Sequence, residues 1–192
     1  MSDRCEALMS YNRSEMIATK TPTVEEFLRS GDNDRSEYAQ GEKWEKPLPN
    51  KYHADLQLSL GSSLRQYGRE SGNGKAFSEW HHRFGPEDDK RIYVPDLAFV
   101  RAPKHTQVPD YADRASDVMV EIVSPSQSAS RLTAKVEFYL QNGAGSVWVV
   151  DPEERRIDVY APGKATRTFR ESDTLVDPIL PDFELPLRDI FS

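Results

Sequence analysis

The sequence lacks the features that would place the protein in a membrane or among disulfide-bonded secreted proteins. Its single cysteine, Cys5, cannot form an intrachain disulfide, which fits a reducing cytoplasm. No apolar run approaches the roughly 20 residues that a membrane-spanning helix requires. Residues 1–20 are polar and contain no apolar segment like that of a secretory signal. We therefore expect a cytoplasmic protein without a membrane partner.

A basic excess is also absent. The chain has 25 lysine and arginine residues against 32 aspartate and glutamate residues, which gives a net charge of −7. Proteins that hold nucleic acid mainly by neutralising phosphates are usually basic or carry a basic stripe. The charge argues against tight non-specific binding of nucleic acid. It leaves room for a local basic groove, and acidic metal ligands would add to the negative total.

The length of 192 residues suits one domain with a substantial core and is short for two. We expect a flexible N-terminal arm over residues 1–20 and a single domain over residues 21–192. The clearest helical pattern runs from Tyr52 to Tyr67, where three leucines recur every fourth residue and Leu58 widens the apolar face. Further helices are predicted at residues 21–29 and 132–140, with a final helical turn in the tail at 182–191.

The remaining apolar segments predict strands. Two short extended pieces lie on either side of a turn at Gln40 and Gly41. The other predicted strands span residues 75–84, 91–100, 117–123, 145–150, 156–160 and 166–171. Helices that flank a mixed central β-sheet define an α/β (α+β) fold.

Two of these predicted strands carry a carboxylate in or at the end of an apolar run: Asp96 and Glu121. An ionised carboxylate among apolar neighbours is costly unless it is paired or bound to a metal. Adjacent strands joined by a long loop can place both carboxylates at one end of a sheet. Hard oxygen ligands of this kind suit Mg²⁺ or Mn²⁺, and the backbone carbonyl of Ile122 is a further candidate ligand.

A positive group is needed to position an attacking water and to offset the charge of a transition state. Lys135 is the best candidate, because its position on the following helix lies near the apolar face that packs on the sheet. Other interpretations remain open. Asp96 could cap a turn or pair with an arginine, Lys135 could be a solvated helix residue, and His53 at the start of the long helix could approach a phosphate.

Several strings in the sequence resemble the Uma-type restriction endonuclease family, which belongs to the PD-(D/E)XK nuclease superfamily. The resemblance covers nearly everything after residue 20. The strings that carry it are Val-Pro-Asp-Leu-Ala-Phe-Val (94–100), Val-Glu-Ile-Val-Ser-Pro-Ser (120–126), Lys-Val-Glu-Phe-Tyr (135–139) and Val-Trp-Val-Val-Asp-Pro (147–152).

The resemblance implies a restriction-endonuclease-like domain that hydrolyses phosphodiester bonds with a metal ion. It implies that Asp96 and Glu121 are the metal ligands and that Glu42 is an accessory acid. The chain departs from the wider superfamily at Val123, where a lysine is usual, and Lys135 on the next helix takes that role. We expect nucleic acid, in particular DNA, as the partner, and a homodimer if both strands are cut. The alternative is a nuclease-like module that binds nucleic acid or protein without turnover.

Overall fold

A computed structural model describes residues 23–30, 36–39, 41–85, 90–104, 109–125 and 128–191. The arm expected at residues 1–20 lies outside the described residues, as do Cys5, Gln40 and Ser126. In the part of the chain that the structure covers, no helix combines the length and apolar character needed to cross a lipid bilayer.

Three α-helices are separated by groups of short strands along the described chain. The helices are α1 (Val24–Arg29), α2 (Lys51–Ser71) and α3 (Ala129–Gln141), and a 3-10 turn spans Leu187–Asp189. The strands are β1 (Ser36–Ala39), β2 (Glu42–Glu45), β3 (Gly74–Ser78), β4 (His82–Phe84), β5 (Arg91–Tyr93), β6 (Leu97–Arg101), β7 (Val118–Ile122), β8 (Ser146–Asp151), β9 (Arg156–Tyr160), β10 (Arg167–Arg170), β11 (Thr174–Val176) and β12 (Glu184–Pro186).

The described strands form one large mixed sheet and two smaller ones. The large sheet has the order β10-β9-β8-β7-β6-β3, and its pairings are antiparallel except for the parallel pair β7 and β8. Helix α3 connects that parallel pair, as a crossover must. A four-stranded sheet has the order β2-β1-β5-β4, and β11 pairs with β12. The architecture confirms the predicted mixed sheet with flanking helices.

Local sequence signals explain where the helices begin and end. Thr23 and Glu26 form a capping box at the start of α1, in which each side chain binds the other residue's backbone N–H. The Asn50 side chain accepts a hydrogen bond of 2.9 Å from the His53 N–H at the start of α2. Helix α2 extends four residues beyond its predicted end, and it is closed by Gly72, whose φ of 68° suits glycine.

The large sheet has an apolar core on each face. Residues that alternate along β7 point to opposite sides, so Val118 and Val120 join the core beneath α2 whereas Met119 joins the core beneath α3. By the same alternation, Glu121 faces the α3 side with Met119. The alternation of side chains along β7 therefore directs the Glu121 carboxylate toward helix α3.

Two segments predicted as single strands are each two strands, because the chain passes from one sheet to another within the segment. The segment 75–84 divides at Glu79, whose φ is 51°, into β3 of the large sheet and β4 of the four-stranded sheet. The segment 91–100 divides into β5 and β6 in the same two sheets. Asp96 thus lies between two strands, directly after Pro95, which has no N–H to donate to a ladder.

Two other expectations drawn from the sequence, about Leu58 and about the tail, are also wrong. Leu58 is 69% exposed and does not belong to the buried face of α2. The tail contains strand β12 before its 3-10 turn, and the sequence pattern predicts neither β12 nor its partner β11. Three-residue strands are too short to show a period of two.

The leucines of α2 give a matched test of this packing. Leu64 is fully buried in the core between α2 and the large sheet. Leu64→Ala should lower the free energy of unfolding by about 2–5 kcal/mol, because it removes buried methyl groups and leaves a cavity. Leu58→Ala on the same helix should change it by less than about 0.5 kcal/mol. Urea unfolding of both variants measures the difference, and equal effects would contradict the assigned helix face.

Candidate active site

A cleft of about 760 Å³ opens where the chain passes between the two larger sheets. Charged and polar side chains from both sheets, α2, α3 and the segment between β2 and α2 line it. Its lining residues are Glu37, Trp44, Glu45, Lys46, Pro47, Leu48, Pro49, His53, Gln57, Glu79, Asp96, Glu121, Ile122, Ser124, Ser128, Arg131 and Lys135.

Asp96 and Glu121 lie opposite each other at this cleft. Leu97 pairs with Val120 across β6 and β7, so Asp96 and Glu121 occupy the next opposed positions. Both residues are 2% exposed. The Ile122 N–H donates a hydrogen bond of 2.7 Å to Asp96 Oδ2, which fixes that carboxylate against the end of β7.

Lys135 holds Glu121 from the α3 side. Its Nζ lies 2.9 Å from both carboxylate oxygens of Glu121, and the Tyr139 hydroxyl donates to Oε1 at 3.0 Å. Residues four apart share one helix face, which is why Lys135 and Tyr139 reach the same carboxylate. The Lys135 side chain is buried, as its position near the apolar face of the helix indicated.

Glu37 is a site residue that the sequence did not reveal. It is 6% exposed on β1, and its Oε1 accepts hydrogen bonds from Lys135 Nζ at 2.5 Å and from the Val94 N–H at 3.0 Å. The sequence offered one clue to Glu37, which is that this carboxylate lies in a segment predicted to be extended. The segment is short and begins with Ser36, so it lacks the run of apolar neighbours that drew attention to Glu121.

Glu42, which the resemblance suggested as the accessory acid, is exposed and does not line the cleft. The register of the hairpin explains this, because Glu42 pairs with Ala39 beside the turn whereas Glu37 pairs with Trp44 further along. The third carboxylate of the cluster is therefore Glu37.

Lys46 is the second cation of the cluster, and no pattern in the sequence indicated it. Its Nζ donates to Asp96 Oδ1 at 2.8 Å, to Glu79 Oε2 at 2.8 Å and to the Val94 carbonyl at 2.9 Å. His53 Nε2 lies 3.4 Å from the same oxygen of Asp96. His53 therefore lies in the cleft beside Asp96, and its approach to a phosphate stays a prediction.

The two opposed carboxylates have pKa values shifted in opposite directions. Burial alone would raise the pKa of Asp96, but the hydrogen bond to His53 and the charge of Lys46 outweigh it and hold the pKa well below its usual range. Burial raises the pKa of Glu121 to about 7, and the like charges of Asp96 and Glu37 act in the same direction against Lys135. Folded Glu121 therefore keeps its proton to a higher pH than an ordinary carboxyl does.

Lys135 stays protonated in this environment. Burial alone would lower the pKa of its ammonium, but the charges of Glu121 and Glu37 and its hydrogen bonds to both raise the pKa above the ordinary value. Lys135 divides its charge between two carboxylates. Burial outweighs this shared charge at Glu121, so its pKa is raised although Lys135 is paired with it.

The oxygen donors at this point suit a cation. The Lys46 ammonium already lies among three oxygens, one of which is Asp96 Oδ1. Carboxylates and a backbone carbonyl are the donor types that Mg²⁺ and Mn²⁺ prefer. In the described part of the chain, no group of three or more His, Cys, Asp or Glu side chains is arranged to hold a metal ion. Asp96 and Glu121 would supply two ligands once Lys46 releases Asp96.

The mixed sheet, with two opposed carboxylates and a buried lysine behind one of them, matches the arrangement that the resemblance to restriction-endonuclease-like proteins implied. The model of the Uma2 family, described as "Putative restriction endonuclease", matches residues 24–188. The chain belongs to this family.

A solved structure supports the same fold. It is described as a "putative nuclease belonging to DUF820" from Anabaena variabilis, and it is 26% identical to this chain with a TM-score of 0.76. The similarity covers 88% of this chain and 97% of that one. No curated protein matches the sequence significantly.

The raised pKa of Glu121 predicts a pH-dependent stability. Between pH 4.5 and about 7, folded Glu121 retains a proton that the unfolded chain releases, so its contribution to stability is lost as pH rises through this range. Glu121→Gln cannot titrate there. Its free energy of unfolding should therefore increase relative to wild type as pH rises, by on the order of a few kcal/mol at most.

Urea unfolding of both proteins across this pH range measures the difference, and Glu137→Gln on the exposed face of α3 serves as the control. A difference between Glu121→Gln and wild type that stays constant with pH would show that Glu121 titrates as an ordinary carboxyl.

Proposed function

We propose that this protein is a Mg²⁺- or Mn²⁺-dependent endonuclease that hydrolyses phosphodiester bonds of nucleic acid. The observation that carries the proposal is the buried, opposed pair of Asp96 and Glu121, joined to Lys135 at the wall of an open cleft. The family description and the solved relative support the same class of activity. We infer DNA as the substrate from the words "restriction endonuclease" alone.

The carboxylates would provide the metal ligands. Asp96 and Glu121, with the carbonyl of Ile122, which also lines the cleft, would hold the cation. When bound, the cation would lower the pKa of a coordinated water and offset the charge that develops on the phosphate. Release of Asp96 by Lys46 would free one ligand oxygen, and deprotonation of Glu121 near neutral pH would complete the anionic pair.

Lys135 would act as a fixed positive charge. Because its pKa is raised, it cannot serve as a general base, but it can donate hydrogen bonds to the attacking water or to a phosphate oxygen. Glu37 positions its ammonium from the opposite side. In the hydrolysis, the water oxygen bonds to phosphorus and the ester P–O bond breaks. The water loses one proton, and the leaving oxygen gains one.

A second candidate is a nuclease-like module that binds nucleic acid without cleaving it. Two observations favour it: Val123 stands where the wider superfamily has a lysine, and Lys46 engages Asp96 as an internal counter-ion. Cleavage and binding assays on one set of variants separate the two candidates.

Site variants should abolish metal-dependent cleavage of DNA. In Mg²⁺ or Mn²⁺, Asp96→Asn and Glu121→Gln should each lose roughly 100-fold or more in cleavage rate, because each removes a charged ligand. Lys135→Met should show a comparable loss, whereas Glu137→Gln, on the exposed face of the same helix, should cleave like wild type. The assay follows supercoiled plasmid and linear DNA by gel, with EDTA as the metal-free control.

Unchanged cleavage by Asp96→Asn and Glu121→Gln would place the activity elsewhere or in a contaminant. Binding of DNA by a wild type that never cleaves it would favour the non-catalytic module.

Size-exclusion chromatography with light scattering tests the homodimer that cutting both strands suggests, and fractionation of cells tests the cytoplasmic location.

A further inference from the structure

Arg131 differs from the other lysine and arginine side chains that line the cleft. Lys46 and Lys135 each bridge two carboxylates at distances of 2.5–2.9 Å. Arg131 makes no ion pair with any carboxylate that the structure describes. Two of the cleft's cations therefore bridge carboxylates, whereas the third interacts with the charges of Glu37 and Glu42 without an ion pair to either.

The guanidinium of Arg131 is fixed in place without being satisfied. Its Cζ lies 3.9 Å from the centroid of the Trp44 ring, a cation–π contact that holds the guanidinium against the indole. Its Nη2 is buried and has no hydrogen-bond partner among the described residues. A buried donor without an acceptor costs free energy, and a shift of the side chain that brought Nη2 to an acceptor in the cleft would recover that cost.

The position of Arg131 relates it to the carboxylate cluster. It precedes Lys135 by one turn of α3, about 6 Å along the helix axis, and lies on the same face. Trp44, which supports it, pairs across the β1–β2 hairpin with Glu37, which holds Lys135. One hairpin thus orients both cations along the cleft.

We propose that Arg131 binds a phosphate of the nucleic-acid backbone, next to the phosphate that would be hydrolysed at the carboxylate cluster. The inference rests on the proposed function, since it takes nucleic acid as the ligand. A planar guanidinium binds two phosphate oxygens at once, and the contact with Trp44 restricts the side chain before a ligand arrives. A backbone that lies along α3 would place one phosphate at the carboxylate cluster and a neighbouring phosphate at Arg131.

The test is the salt dependence of binding. Fluorescence anisotropy measures the affinity of a labelled DNA duplex, its single strand and the RNA of the same sequence, over a series of KCl concentrations with Ca²⁺. A gel run after each titration shows whether the probe is intact. One lost phosphate contact should reduce the slope of log K against log salt by about 0.9 for duplex DNA, or about 0.7 for a single strand.

Arg131→Gln should show that reduced slope together with a loss of affinity of about 10-fold. Arg131→Lys should keep the slope but bind more weakly, because lysine lacks the planar pair of donors. Trp44→Leu should behave like Arg131→Lys, since the charge remains and its support is lost. The matched control is Arg167→Gln, which removes an arginine that also lies over an aromatic ring but does not line the cleft. It should bind like wild type.

The outcomes distinguish this inference from the function on which it rests. An unchanged slope in Arg131→Gln, with wild type binding well, overturns the role of Arg131 and leaves the proposed function standing. A lowered melting temperature with an unchanged slope also overturns that role, because it shows that Arg131 only packs on Trp44. If Arg131→Gln does not fold, equal binding by Arg131→Lys and wild type overturns the inference. Failure of wild type to bind any of the three probes overturns the proposed function, and this inference with it.

Discussion

A buried lysine shared by two carboxylates holds the layers of this fold together. Lys135 is 4% exposed, and an ammonium that far from water is tolerated only with charged partners. Its partners, Glu37 and Glu121, belong to different sheets, and Lys135 itself belongs to α3. The network therefore joins three layers of the fold at one point. Removal of either carboxylate would leave Lys135 with half of its compensation.

The cleft follows from the way the chain passes between the sheets. Asp96 lies at the passage from β5 to β6, where the N–H of Ile122 and the ammonium of Lys46 take its two oxygens. Burial acts to raise the pKa of both carboxyls, but His53 and Lys46 reverse it at Asp96, whereas at Glu121 the like charges of Asp96 and Glu37 add to it against Lys135. Two chemically similar groups thereby acquire different protonation behaviour near neutral pH.

The sequence predicted the parts of this site that depend on local patterns. Asp96 and Glu121 stand out as carboxylates in apolar runs, and helical spacing places Lys135 toward the sheet. Non-local contacts could not be predicted in this way. Lys46 lies in an irregular segment between β2 and α2 without periodicity, and Glu37 is buried by a sheet whose existence the sequence did not indicate. Alternation also cannot tell which of two sheets a strand joins, so the pattern predicts a continuous strand at both chain passages.

The proposed chemistry requires that Asp96 and Glu121 bind a divalent cation in place of the Lys46 ammonium. Crystals grown with Mn²⁺ and a short nucleic-acid duplex, with diffraction recorded at the manganese absorption edge, would show whether they do. We expect an anomalous peak at roughly 2.0–2.6 Å from an oxygen of each carboxylate, with Lys46 moved away from Asp96. No peak between the two carboxylates, with Lys46 still bound to Asp96, would contradict this assignment of the metal ligands.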